Sequence, residues 1–272
     1  MDAKREDGIM VANVSTLNFK QGALSDAGAG QANLNGLRQI NYLDTTHSPI
    51  ALWNLDGNLD DSSGNGITLV VGSGGTERYA PIGGGKRGFF FDQGSYLTTA
   101  SSSPTALEIV GDMTIQMLIA PASLDNGGYA SIIRFAEPVS GRVDSTHNNL
   151  YTIYTVTDGA ANYLAYYAEK DSGPTAIDHE DASSVLPAYS QIFHFAMVRS
   201  SNEVSFYVDG TQLGSTSSGL DAPNGGTASE LFVGSTSAPN QFFNGVMASI
   251  KICDTALTAD QILEEAHLVG VA

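Results

Sequence analysis

The chain has 272 residues, a formal net charge of −17 and an isoelectric point near 4.3. That acidity repels nucleic acid and anionic bilayers, while 42% hydrophobic content is enough for a sizeable core and excludes wholesale disorder. The single cysteine, Cys253, rules out an internal disulfide, and no run approaches the roughly 20 apolar residues that span a membrane.

The opening residues, "MDAKREDGIMVANVS", contain no apolar stretch long enough for a secretory signal, so the expectation is synthesis in a cytoplasm. Residues 1–47 are rich in Gly, Ala, Asn and Gln and sustain no period of 2 or 3.6. A loose tail is the plain reading of such a segment; an extended arm that orders on a partner is the sharper one. Residues 1–46 hold four basic and five acidic residues, so the acidity belongs to the body of the protein.

From residue 48 the pattern changes to short alternating apolar runs separated by Gly, Ser, Asn and Asp, the mark of an all-β chain. Thirteen strands are predicted, beginning "PIALWNL", "ITLVVG", "GFFFDQ", "YLTTA", "MTIQMLIAP" and "ASIIRFAE". They continue "LYTIYTV", "YLAYYAE", "QIFHFAMVRS", "EVSFYVDG", "TQLGS", "ELFVGS" and "GVMASIKIC". So many strands in one domain fit two packed antiparallel sheets better than a small barrel. In "QIFHFAMVRS", His194, Ala196 and Val198 share one face and Phe193, Phe195 and Met197 the other, so both faces are covered and the strand is central. A hairpin joins it to "EVSFYVDG", and Asp209-Gly210 supplies the next two-residue turn, where Gly accepts a positive φ. Near the end, Thr258 and Gln261 form a capping box ahead of a short helix with Ile262, Leu263 and Ala266 on its apolar face.

The stretches "ALWNLDGNLDDSSGNG", "KRGFFFDQGSYLTT", "ALEIVGDMTIQMLIAP", "FHFAMVRSSNEVSFYVDGTQLGS" and "FFNGVMASIKICDTALTADQI" occur in an order that resembles the laminin-G-like, concanavalin A-like jelly-roll family. The resemblance runs over residues 48–270. It implies an antiparallel jelly-roll β-sandwich over 48–272, preceded by an arm over 1–47 and closed by a short C-terminal helix.

The loop after the only tryptophan, Trp53, admits two readings. One is a structural corner in which Asp and Ser side chains bond to nearby N–H groups. The other is calcium binding by Asp56, Asp60 and Asp61, with Asn58 spaced as a further oxygen ligand. The helix–loop–helix calcium pattern fails, because Asp61 stands where Gly is required and Ile67 where Glu is required. The resemblance implies a calcium between this corner and the last strand, yet Ala248-Ser249 occupies the place where relatives often carry Asp-Asp. No other cofactor is expected.

Catalytic sets are thin. "EKDSGP" offers Glu169 and Asp171 but no third carboxylate, short of the strand-borne set that the family's hydrolases use. "IDHEDASS" reads as a solvated acidic loop, His194 as a hydrogen-bonded core histidine and Cys253 as a buried thiol. The histidines show no zinc spacing. Tyr129, Tyr151, Tyr154, Tyr163, Tyr166 and Tyr167 could present a sugar-binding surface. The expectation placed first is therefore a non-enzymatic virion protein, a bacteriophage head or tail module. It would join other virion proteins, or copies of itself, through residues 1–47, and could meet a host-surface glycan. The alternative is a carbohydrate-binding, lectin-like module working outside a cell or at its surface.

Overall fold

The computed structural model describes residues 40–92, 94–100, 104–123, 129–136, 149–158, 161–169, 176–181, 191–220, 223, 230–235 and 242–271. The chain divides between Arg38 and Gln39, and the described residues all belong to the second unit. The first 39 positions of the expected arm lie outside the described residues. Residues 40–47, which composition assigned to that arm, pack with the body instead: Ile40 and Leu43 are buried against Leu52, Leu118, Ala248 and Val269.

Among the described residues, fifteen strands form two antiparallel sheets. They are β1 (Ala51–Asn54), β2 (Leu69–Val71), β3 (Tyr79–Gly83), β4 (Lys86–Asp92), β5 (Leu97–Thr99), β6 (Met113–Ser123), β7 (Tyr129–Ala136) and β8 (Asn149–Asp158). Then follow β9 (Ala161–Glu169), β10 (Ala176–Asp181), β11 (Phe193–Ser200), β12 (Glu203–Val208), β13 (Thr211–Ser218), β14 (Glu230–Val233) and β15 (Asn244–Cys253). The first sheet runs β13-β12-β11-β6-β15-β4-β3, with β1 beside β15; the second runs β10-β9-β8-β7-β14-β5-β2. One edge of β15 pairs first with β4, through Asn244–Met247, and then with β1, through Ser249–Ile252. Its register against β6 shifts between Met247 and Ser249, where that change of partner occurs.

Alternation decides what lies between the sheets. Phe89, Phe91, Ile115, Met117, Phe195, Phe206 and Ile250 of the first sheet meet Ile133, Phe135, Tyr151, Ile153, Leu231 and Val233 of the second. Burying each such side chain contributes about 1.5–3 kcal/mol. Trp53 is fully buried, and its indole N–H donates to the Ile67 carbonyl at 2.6 Å, tying β1 to the loop that follows it. The hairpin reading holds: β11 is buried on both faces between β6 and β12, and Asp209 and Gly210 both take positive φ.

Two strands were missed. β3 contains Pro81 and is the last strand of the first sheet, the position where proline is tolerated. β10 is "AIDHED", expected as a loop; it is the last strand of the second sheet, where charge discourages further pairing.

The outer face of the first sheet is covered by residues 40–43 and by helix α1 (Ala259–Leu268). The capping box forms: Gln261 Oε1 accepts the Thr258 N–H, and Thr258 Oγ1 accepts the Gln261 N–H. The buried stripe of α1 differs from expectation. Ile262, Glu265 and Ala266 face the sheet, whereas Leu263 is 40% exposed beside Gly210. A glutamate can occupy that stripe because Lys251 of β15, itself fully buried, donates to Glu265 Oε1 at 2.5 Å.

Candidate functional site

The corner after β1 is organised by one carboxylate. Asp61 Oδ1 accepts the N–H groups of Leu52 and Ser63 at 3.0 and 2.9 Å, and Oδ2 accepts the Ile67 N–H at 3.0 Å and the Ser63 hydroxyl at 2.8 Å. Burial pulls the Asp61 pKa upward, but the donors from Ser63, Leu52 and Ile67 together outweigh it and hold the carboxyl below its usual range. Asp56 lies 3.6 Å from the Arg87 guanidinium, and Asn58 Oδ1 accepts the Asp60 N–H. Ser249 donates its hydroxyl to Asn54 Oδ1, so β15 meets this corner through a neutral contact. Among the described residues, no three His, Cys, Asp or Glu side chains converge as ion ligands.

A second polar cluster lies beneath α1. His194 is fully buried, and its Nε2 faces Gln116 Oε1 at 2.8 Å. Burial, with Lys251 nearby, pushes its pKa down to about 3, so it is a neutral core histidine at any ordinary pH. Burial likewise raises the Cys253 thiol to about 11. His194 and Cys253 are both fully buried inside the protein.

The outward face of the second sheet is different in character. In β5, β14, β7, β8 and β9, the residues flanked by core positions point away from the sandwich: Thr98, Phe232, Arg134, Thr152 and Tyr167. Strand register places them side by side. Val70 faces Thr98, Thr98 faces Phe232, Phe232 faces Arg134, Arg134 faces Thr152 and Thr152 faces Tyr167. With strands about 4.8 Å apart the row extends roughly 24 Å. Phe232, Arg134, Thr152 and Tyr167 form a well-packed floor, each at most 8% exposed, while Tyr96, Thr98 and Tyr154 are partly open and Val70 is exposed.

Tyr96 forms a ring platform at the β5 end of this row. Its centroid is 6.1 Å from that of Phe232, and a side chain at Gly72 would run into the ring, so Gly72 provides its seat. The open part of the face thus offers the Tyr96 and Tyr154 rings and the Thr98 hydroxyl, groups suited to sugar faces and hydroxyls, above a buried floor that includes Arg134.

Of the tyrosines proposed for a sugar surface, Tyr151 and Tyr166 belong to the core and Tyr154 and Tyr167 to this face. The side chains of Tyr129 and Tyr163 lie outside the described residues, as does the Asp171 of "EKDSGP". Sequence reading missed Arg134, Phe232, Thr98 and Tyr96. A lone arginine between Ile133 and Phe135 was the available signal, since alternation alone sets it outside the core.

Comparison with known proteins gives one family: the model described as the concanavalin A-like lectin/glucanases superfamily matches residues 91–263. No curated protein matches the chain in sequence. Among solved structures, Domain 4 of AbnA is similar. It belongs to a GH43 extracellular arabinanase from Geobacillus stearothermophilus and was solved in complex with arabinotriose. The TM-score is 0.59 at 17% identity, covering 80% of this chain and 98% of that one. The binding domain of Botulinum Neurotoxin DC in complex with SialylT has a TM-score of 0.57 at 15% identity, covering 82% of this chain and 51% of that one. The binding domain of Paraclostridial Mosquitocidal Protein 1 has a TM-score of 0.57 at 14% identity, covering 79% and 51%. The chain therefore spans about half the length of the toxin domains it matches. These likenesses establish the fold.

Proposed function

Because the chain belongs to the concanavalin A-like lectin/glucanases superfamily, we propose that it is a non-enzymatic carbohydrate-binding module whose ligand lies on the outward face of the second sheet. The open end of the register-matched row, Val70 and Thr98 with the Tyr96 ring beside them, carries this reading. The Tyr96 ring would stack on a sugar face, and the partly open Thr98 and Tyr154 hydroxyls would meet ring hydroxyls. Structural neighbours include an arabinanase domain solved with arabinotriose and a toxin binding domain solved with SialylT, which supports glycan recognition. Both come from binding or extracellular contexts, which supports a module that works outside a cell or at its surface. The virion role placed first by the sequence draws no support from these neighbours; the lectin-like alternative fits them. Glycoside hydrolysis needs two carboxylates flanking the bond; the row from Val70 to Tyr167 brings none, and Asp178 of β10, opposite Tyr167 in register, would be a single one.

The test is a glycan microarray probed with the full chain and with Tyr96→Ala and Thr98→Val. Binding that is present in the parent and weakened at least tenfold in Tyr96→Ala supports this face. Binding that survives both substitutions moves the ligand elsewhere, and absence of binding across the array removes the carbohydrate reading.

A further inference from the structure

The outward face of the first sheet is covered only in part. Beside the cluster that buries Ile40 and Leu43, a groove of about 310 Å³ stays open, lined by Ile82 of β3, Phe90 of β4, Ala120 and Ala122 of β6, Val246 of β15, and Ile192. Phe90, Ala120, Ile192 and Val246 are each only half-buried. Ile82 and Ile192 also pack against the Ile40 cluster, so the groove continues the surface on which the described chain begins. Of the six described cations, Arg134, Arg199 and Lys251 are buried; Arg78, Lys86 and Arg87 reach solvent on or next to the β3–β4 hairpin that walls the groove. Among the described residues, a chain of net charge −17 thus gathers its exposed positive charge beside one apolar groove. Register sets Arg78 across from Phe90, and alternation sets Lys86 on the same face. Arg78 pairs with Asp92 and Arg87 lies 3.6 Å from Asp56, whereas the Lys86 ammonium sits 4.5 Å over the Tyr42 ring.

Before Ile40 the sequence holds a single run of three large apolar side chains, Ile9-Met10-Val11, and it comes directly after Glu6-Asp7-Gly8. We propose that residues 6–14 of a second copy of this chain dock in the groove, with the aliphatic side chains over Phe90 and Val246 and the carboxylates toward Lys86. The groove is at the small end of ligand pockets, which run roughly 300–1,000 Å³, so it takes a few aliphatic side chains rather than a domain. Carboxylates meeting an ammonium at its rim fix the orientation of the segment and speed its arrival. Between Val14 and Ile40 lie 25 residues rich in Gly, Ala, Asn and Gln. As flexible coil they span about 27 Å, and fully extended roughly 80 Å, enough to leave one copy and reach the next. Exchange between two copies is reciprocal: each donates one segment and receives one, so the second docking is intramolecular and the closed pair is favoured as concentration rises. The groove lies on the opposite sheet from the proposed carbohydrate face.

The experiment is analytical ultracentrifugation of the full chain across the micromolar range. The expected result is a reversible dimer, weakened about tenfold or more by Ile9→Asp with Val11→Asp, and equally by Ala122→Glu, which puts a carboxylate at an exposed position of the groove. Melting establishes that Ala122→Glu is folded; if it is not, the Ile9 and Val11 substitutions decide alone. A photo-crosslinker then identifies the source of the segment. Ile9→benzoylphenylalanine in a tagged chain, mixed with untagged chain, should yield a product of the summed mass with its crosslink mapped to Ile82, Ala122, Ile192 or Val246. A monomer at every concentration overturns the inference, as does a dimer indifferent to both sets of substitutions. Crosslinks that map away from the groove overturn it too, and crosslinks confined to a single chain overturn the second copy as occupant. Glycan binding by the second sheet is untouched by any of these results.

Discussion

A chain beginning at Ile40 and a chain beginning at Ser48 should differ sharply in stability, although composition places both within or just after the same polar segment. The eight residues between those starts bury Ile40 to 2% and Leu43 to 1% exposure against the outer face of the first sheet. Each contributes about 1.5–3 kcal/mol, an upper range because the unfolded chain already hides some apolar surface. Asn41 adds two bonds to the end of α1: its N–H donates to the Val269 carbonyl and its Nδ2 to the Leu268 carbonyl. The Tyr42 hydroxyl donates to the Arg87 carbonyl and accepts the Arg87 N–H. Such bonds are worth about 1 kcal/mol each, less where water replaces them. Loss of the segment also uncovers the Lys251–Glu265 pair, near which Asp44 and His47 lie at 4.0 and 3.7 Å. The expected loss is about 4–6 kcal/mol, a large share of the 5–15 kcal/mol typical of a domain. In melting curves that is on the order of 10–20 °C between the two chains. Urea midpoints of the purified fragments provide an independent measure. If the two chains agree within about 1 kcal/mol, the packing of residues 40–47 contributes nothing that α1 cannot replace, and the reasoning fails.

Asp61→Ala should cost roughly 2–4 kcal/mol in urea unfolding, since it strands three N–H groups at once. Because the folded pKa of Asp61 is lowered, its contribution is complete above the ordinary aspartate value and is lost as pH falls through the folded value. The parent should therefore lose stability on the acid side of pH 4 more steeply than the variant. Lys251→Met alone should destabilise by about 3–5 kcal/mol by leaving Glu265 buried without its counterion; Lys251→Met with Glu265→Leu should recover most of that loss. Burial raises the Glu265 pKa despite Lys251, so its contribution is complete below the ordinary glutamate value and declines as pH rises through the folded one. A pH titration of the double variant should lack that decline. Cys253 should resist a thiol reagent until the protein is denatured, as its buried thiol titrates near 11; prompt labelling of native protein would contradict its placement. Millimolar calcium should shift the melting temperature by under about 1 °C, because the Asp61 oxygens already serve N–H donors; a saturable shift abolished by Asp56→Asn and Asp60→Asn would instead restore the calcium reading of this corner.

What the sequence made legible follows from the range of each interaction. Alternation is a local property, so Phe193, Phe195 and Met197 could be separated from His194 and Ala196 by counting, and the Asp209-Gly210 turn and the Thr258–Gln261 box each fall within four residues. Edge strands were hidden because the residues that keep an edge from pairing, Pro81 in β3 and the acids of β10, are also those that signal loops. Glu265 was hidden for another reason. It occupies an apolar stripe by virtue of Lys251, a partner on a strand whose inner neighbours, Ile250 and Ile252, give no hint of a buried charge. The row on the second sheet is the extreme case. Six strands contribute one residue each, and β14 stands between β7 and β5, an order that no spacing along the chain records. Each of Thr98, Phe232, Arg134, Thr152 and Tyr167 could be assigned an outward direction from its own strand. Only the register turns five such directions into one surface, and a face made this way can change its chemistry by single substitutions without disturbing the alternation that builds the core.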